Sequence, residues 1–141
     1  MAEKYKFLEH TADIKFRVYG RTLGKIFENT TLAFCEIISR KKKIRADKKK
    51  KIKLRAEDLE GLLYSFIDEL IYLLDAKNFL VCKAKVKVKE SKGESRLEGE
   101  VFGDNAGRYD DLDHIKAATY HEMYVRQKKD KAWEAQVVVD V

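Results

Sequence analysis

The sequence predicts an α+β fold in which two amphipathic helices pack on a mostly antiparallel sheet of about six strands. Two segments place apolar residues at the three- and four-residue spacing of a helix, and later segments alternate between apolar and polar residues. The alternating segments are joined in two hairpins, which favours antiparallel pairing beside the helices. At 141 residues, without a repeat or a low-complexity linker, residues 1–141 are expected to form one domain.

The first half of the chain is predicted to alternate strand, helix, strand, helix. Residues 14–18 alternate like a strand. Apolar residues then recur through residues 23–38, with Thr22 as a plausible N-cap. A stronger helical pattern runs through residues 59–74, after Glu57 and Asp58 at the positive end of the helix dipole.

The second half is predicted to form two hairpins. Apolar residues alternate with lysines from 82 to 89, which indicates a strand with one solvated face, as at the edge of a sheet. The tetrapeptide Ser91-Lys92-Gly93-Glu94 is typical of a turn into residues 95–103. Residues 115–126 and 132–141 are expected to pair around a polar turn at 127–131.

The composition indicates the cellular compartment of the protein and which classes of partner it has. No apolar stretch approaches membrane-spanning length, and the first residues lack the apolar segment of a signal peptide, so a cytoplasmic protein without a membrane partner is expected. Cys35 and Cys82 are predicted to be buried thiols rather than a disulfide or half of a zinc site. The net charge is +6.

Most residues from Arg40 to Lys53 are basic, and two interpretations of this run remain open. Such a run can attract RNA phosphates weakly through counterion release. It is also typical of a solvated, lysine-rich loop in a protein of thermophile-type composition. Because no aromatic residue is interleaved to stack on a base, the loop is the favoured interpretation.

Both ends of the chain carry an acid beside a predicted strand. Asp13 precedes the first strand, and Asp140 closes the apolar run 137–139. Asp is depleted in strands. If the two strands are neighbours, Asp13, Asp140 and the terminal carboxylate of Val141 supply three oxygen donors. Such a cluster repels itself without a proton or a cation, and it suits calcium or magnesium.

Two further residues near these acids are candidates. His10 enters the first strand, where a structural role and a functional role are equally open. Lys116 follows an acidic loop at 104–113 and can neutralise carboxylates or meet a phosphate. The loop itself is mostly explained by turn chemistry, with a contribution to the metal site as the minority alternative. No nucleophile motif, phosphate-binding glycine loop or Cys/His arrangement is present, so no catalytic residue is assigned.

Five motifs, in order along the chain, resemble the archease family over essentially its whole length. They are His10-Thr11-Ala12-Asp13-Ile14, Gly20-x-Thr22-Leu23, Asp58-Leu59-x-x-Leu62-Leu63-Tyr64-x-Phe66-x-Asp68-Glu69-Leu70, Ile115-Lys116-Ala117-x-Thr119-Tyr120-His121 and Val139-Asp140-Val141. The resemblance implies a non-enzymatic accessory protein that activates the RtcB-type tRNA-splicing ligase. Archeases promote guanylylation of that ligase and its multiple turnover.

The resemblance also implies a divalent cation, usually calcium, with ligands at Asp13, Asp140 and Val141. His10 and Lys116 are possible contributors to ligase activation. The chain departs from the family at Arg21, where many members carry an acid, and in the loop at 104–113. The alternative function is an RNA-binding or chaperone module for tRNA-modifying enzymes that acts through the basic run 40–53.

Overall fold

Two antiparallel sheets and two long helices enclose one hydrophobic core in the computed structural model, which describes residues 3–9 and 12–141. The predicted α+β class and the two helices are confirmed. The structure adds a short strand at the start and divides the strands between two sheets, ordered β1-β2-β7-β6 and β3-β5-β4. The elements are β1 (Tyr5–Leu8), β2 (Ile14–Gly20), α1 (Leu23–Ser39), β3 (Lys48–Ala56), α2 (Leu59–Lys77), β4 (Phe79–Ser91), β5 (Glu94–Asn105), a 3₁₀ turn (Ala106–Arg108), β6 (Ala117–Gln127) and β7 (Trp133–Asp140).

Local side-chain chemistry sets the helix boundaries. The Thr22 hydroxyl accepts a hydrogen bond from the Lys25 N–H at 3.1 Å, as the predicted N-cap requires. Asp58 caps α2 in the same way, accepting from Gly61 N–H at 2.7 Å. Both helices end at a residue with left-handed backbone, Arg40 at φ 56° and Asn78 at φ 54°.

The helices cover one face of each sheet and meet in the core. The Phe27 and Phe66 rings join α1 to α2 edge to face, with centroids 5.4 Å apart. On β6 the register shifts between Thr119 and Tyr124, and there Tyr120 stacks on Tyr64 of α2 at 4.4 Å. Neither helix in the described part of the chain is long and apolar enough to cross a membrane.

The basic run from Arg40 to Lys53 is divided between two kinds of structure. Residues 42–47 are loop, but Lys48 begins β3, so the interpretation of the whole run as a lysine-rich loop is wrong from Lys48 onward. The loop part contacts the acidic segment 104–113. Arg40 lies 3.7 Å from the Asp113 carboxylate, and the Lys42 ammonium donates to the Asp110 carbonyl oxygen. The run is therefore part loop and part strand.

Candidate functional site

The first and last predicted strands are neighbours, which is the condition that the acid cluster required. β2 pairs antiparallel with β7, and Ile14 lies opposite Val139. Asp13 and Asp140 adjoin this last pair, one residue beyond the end of the ladder. Residues opposite each other in an antiparallel pair have Cβ atoms about 5 Å apart. Both acids are partly exposed, so they form an accessible pair of like charges at one end of the sheet.

The strand on the other side of β7 brings Lys116 to the same end. Ala117 of β6 lies opposite Asp140. The Lys116 backbone N–H donates to the Asp140 carbonyl oxygen at 2.8 Å, which places Lys116 beside Val141. The Lys116 residue is exposed. The three adjacent strands β2, β7 and β6 thus bring four of the five predicted site residues to one end of the sheet. His10, the fifth, lies outside the described residues.

The donor set at this end contains only oxygen atoms. It comprises the Asp13 and Asp140 carboxylates and the main-chain oxygen of Val141. Within residues 3–9 and 12–141, no three His, Cys, Asp or Glu side chains are grouped so that they could hold a metal ion. Among the predicted ligands, the third donor comes from the main chain of Val141. Hard cations such as calcium prefer such oxygens, so the donor chemistry fits the predicted cation, and the metal site itself stays a prediction.

A surface depression of about 580 Å³ lies beside Asp13 and was not anticipated from the sequence. Its charged lining residues are Glu9, Asp13, Glu36, Arg40, Lys41 and Asp113. Glu36 is fixed there because it accepts a hydrogen bond from the Tyr5 hydroxyl at 2.7 Å. Burial and this hydrogen bond raise the pKa of Tyr5 to about 12. These residues come from four separate segments, so no sequence pattern links them to Asp13.

The acidic loop has its own internal partners. Asp104 is fully buried and accepts from the Tyr109 hydroxyl at 2.7 Å and from the Asn105 N–H at 2.8 Å. The hydrogen bond from Tyr109 lowers the pKa of Asp104. Asn105 in turn accepts from the Gly107 N–H at 2.8 Å. These contacts are the turn chemistry that the sequence favoured for this loop.

The fold and the site together define a class of protein: a small α+β domain with an acid pair at the end of a strand pair that joins distant parts of the chain. Residues 5–141 match the model of the archease protein family (MTH1598/TM1083). The chain therefore belongs to the archease family, a family of accessory proteins.

Relatives across the archaea support this assignment. The chain is 37% identical to protein archease of Pyrococcus furiosus over 140 residues, which cover 98% of this chain and 99% of the relative. It is also 37% identical to protein archease of Methanosarcina barkeri, with 99% and 97% covered. The solution structure of Methanobacterium thermoautotrophicum protein 1598 superposes with a TM-score of 0.80 at 29% identity, covering 98% of this chain and 99% of that one.

Proposed function

We propose that this protein activates an RtcB-type tRNA-splicing RNA ligase in the cytoplasm, as a cation-binding accessory protein without catalytic chemistry of its own. Activation means faster guanylylation of the ligase and support of its multiple turnover. The proposal refines the accessory role of the family. It rests on family resemblance for the partner and on the geometry of this chain for the surface.

A single observation supports the proposal: the β2–β7 ladder ends at Ile14 opposite Val139, next to Asp13 and Asp140, and the Lys116 N–H donates to the Asp140 carbonyl oxygen. An exposed acid pair is costly without a counter-charge, because two carboxylates at this separation repel each other. Binding of a cation or of a positively charged group offsets this repulsion. Lys116, which is exposed, adds one positive charge to the same surface.

The described residues can act on a ligase only by binding. Asp13, Asp140 and Val141 would hold the cation, most favourably calcium, which supplies a positive centre for anionic groups of the partner or its nucleotide. The Lys116 ammonium can meet a phosphate oxygen directly. Binding of this kind accelerates a ligase when the contacts are stronger in the guanylylation-competent state than in the resting state. His10 stays a possible contributor to activation.

The experiment is a time course of ligase guanylylation with substoichiometric amounts of wild-type protein, Asp13→Ala, Asp140→Ala and Lys116→Ala. We expect each of the three variants to lower the rate by about tenfold or more, as loss of a charged contact does. The matched controls are Asp68→Ala and Lys128→Ala, which remove an exposed acid and an exposed lysine elsewhere.

Two results would overturn the proposal. Wild-type rates from all three site variants would show that the strand end does not act on the ligase. Guanylylation or nucleotide turnover by this protein alone would contradict the claim that it performs no chemistry. Circular dichroism of each variant establishes that the fold is retained.

A further inference from the structure

The outward face of the sheet β3-β5-β4 carries most of the chain's excess positive charge. Alternate residues of β3 point away from the core, and they are Lys49, Lys51, Lys53 and Arg55. Between them, Ile52 is buried in the hydrophobic core, and Leu54 packs against that core. All four outward residues are exposed. We call the outward side of these three strands the basic sheet face.

The strand β4 repeats this arrangement on the far side of β5. Its outward residues Lys83, Lys85, Lys87 and Lys89 are exposed. The register places Lys85 and Lys51 on either side of Glu100, and Lys87 and Lys53 on either side of Glu98. Two lysine rows therefore flank the central strand. Along each row, successive side chains are about 7 Å apart.

The charge of this face accounts for the charge of the whole protein. Arg96 on β5 brings the outward cations to nine, and the outward carboxylates are Glu94, Glu98 and Glu100. The surplus equals the chain's net charge of +6, so the remaining residues are balanced. A basic patch so concentrated on one face is an electrostatic signature of nucleic-acid binding.

The chemistry of the face favours a polyanion over a protein partner. Protein interfaces are built around buried apolar and aromatic anchors. The one aromatic side chain on this face is Phe102, and the Lys83 ammonium already lies 5.2 Å from its ring centroid. Lysines are point charges that suit phosphates without fixing a sequence. At the hairpin end, the face is indented by a depression of about 630 Å³. Six of its eight lining residues are charged and two are leucines: Lys53, Leu54, Arg55, Lys87, Lys89, Arg96, Leu97 and Glu98.

We infer that the basic sheet face binds the phosphate backbone of RNA without sequence preference. The phosphate chemistry follows from the face itself, and the choice of RNA over DNA rests on the proposed function. The face is distinct from the basic run 40–53: only Lys49, Lys51 and Lys53 of that run belong to it, and residues on β4 and β5 complete it. It is also built on a different sheet from the acid pair.

The test measures fluorescence anisotropy of a labelled single-stranded RNA of mixed sequence, with no ligase present. The variant Lys85→Gln/Lys87→Gln/Lys89→Gln removes one row of the face. Its matched control is Lys128→Gln/Lys129→Gln/Lys131→Gln in the exposed β6–β7 turn, which changes the net charge equally. We expect the first variant to weaken binding about tenfold and to reduce the slope of log K against log salt by about 2, while the control stays near wild type.

Each other outcome overturns the inference. No RNA binding by the wild type, or equal loss in both triple variants, would show that the face is not a specific surface. Tighter binding to DNA of the same sequence would contradict the assignment to RNA. Displacement of the RNA by poly-glutamate at equal charge concentration would assign the face to acidic proteins. We expect Asp140→Ala to bind RNA like the wild type. A negative result for RNA binding can therefore be distinguished from a negative result for ligase activation.

Discussion

The acid pair predicts an unusual stability response that the protein shows without any partner. Asp13 and Asp140 adjoin the last pair of the β2–β7 register, and like charges opposite each other destabilise an antiparallel pair. Asp140→Asn removes this repulsion while it keeps the shape of the side chain. In the presence of a chelator, we therefore expect Asp140→Asn to be more stable than the wild type. With calcium present, the order should reverse, because the variant loses a cation ligand.

The magnitude follows from the separation. Two unit charges about 5 Å apart repel by about 0.8 kcal/mol in bulk water and by about 3 kcal/mol at an effective dielectric constant of about 20. Because both acids are partly exposed, we expect about 1 kcal/mol, which raises the melting temperature of a chain of this length by about 3 °C. Calcium at about 100 times its dissociation constant would stabilise the wild type by about 2.7 kcal/mol.

The assay is thermal unfolding followed by circular dichroism, with chelator and then with excess calcium. The proteins are the wild type, Asp140→Asn, the double variant Asp13→Asn/Asp140→Asn, and Asp68→Asn as the control on α2. Since repulsion is already abolished by one substitution, the double variant should match the single variant in chelator. A lower melting temperature of Asp140→Asn in chelator, or an equal calcium shift in all four proteins, would refute the reasoning.

Two further predictions concern the scaffold. Gly103→Ala should lower the melting temperature by about 10 °C, at a cost of about 3 kcal/mol, because an added Cβ would lie 1.8 Å from the Leu80 carbonyl oxygen; a shift below about 3 °C would show that β4 yields easily. Burial first, and then hydrogen bonds to Glu36 and Glu134, raise the pKa of Tyr5 and Tyr124 from 10.0 to about 12. Stability that depends on these neutral phenols is fully present below pH 10 and is lost as the pH rises towards 12. Ultraviolet titration should show that Tyr5→Phe removes one of the tyrosines that ionise near pH 12, and simultaneous ionisation of all tyrosines would contradict the assignment.

The parts of the fold that were predictable are those that local sequence determines. The caps at Thr22 and Asp58 and the helical spacing beyond them lie within a few residues of one another, so the helices follow from pattern alone. The turn at Lys92 and Gly93 follows in the same way, with Gly93 at φ 76°. The strand β1 was missed because Tyr5–Leu8 has only four residues and no clear alternation of burial.

The parts that escaped prediction depend on pairing between distant segments. The proximity of Asp13 and Asp140 could be stated only as a condition, because no local pattern specifies that β7 lies between β2 and β6. The basic sheet face was missed for the same reason. Lysines at 49–53 and at 83–89 belong to one surface only once β5 is placed between their strands. Glu36 and Asp113 join the depression beside Asp13 through tertiary packing alone.

The pairing of β2 with β7 has a consequence during synthesis. Asp13 is synthesised long before Asp140, so the strand β2 must wait for its neighbour while the intervening chain is made. Contacts of such high sequence separation form late in folding. A partner that recognises both acids together therefore engages molecules in which β2 and β7 have already paired, so the acid pair reports that this part of the fold has formed.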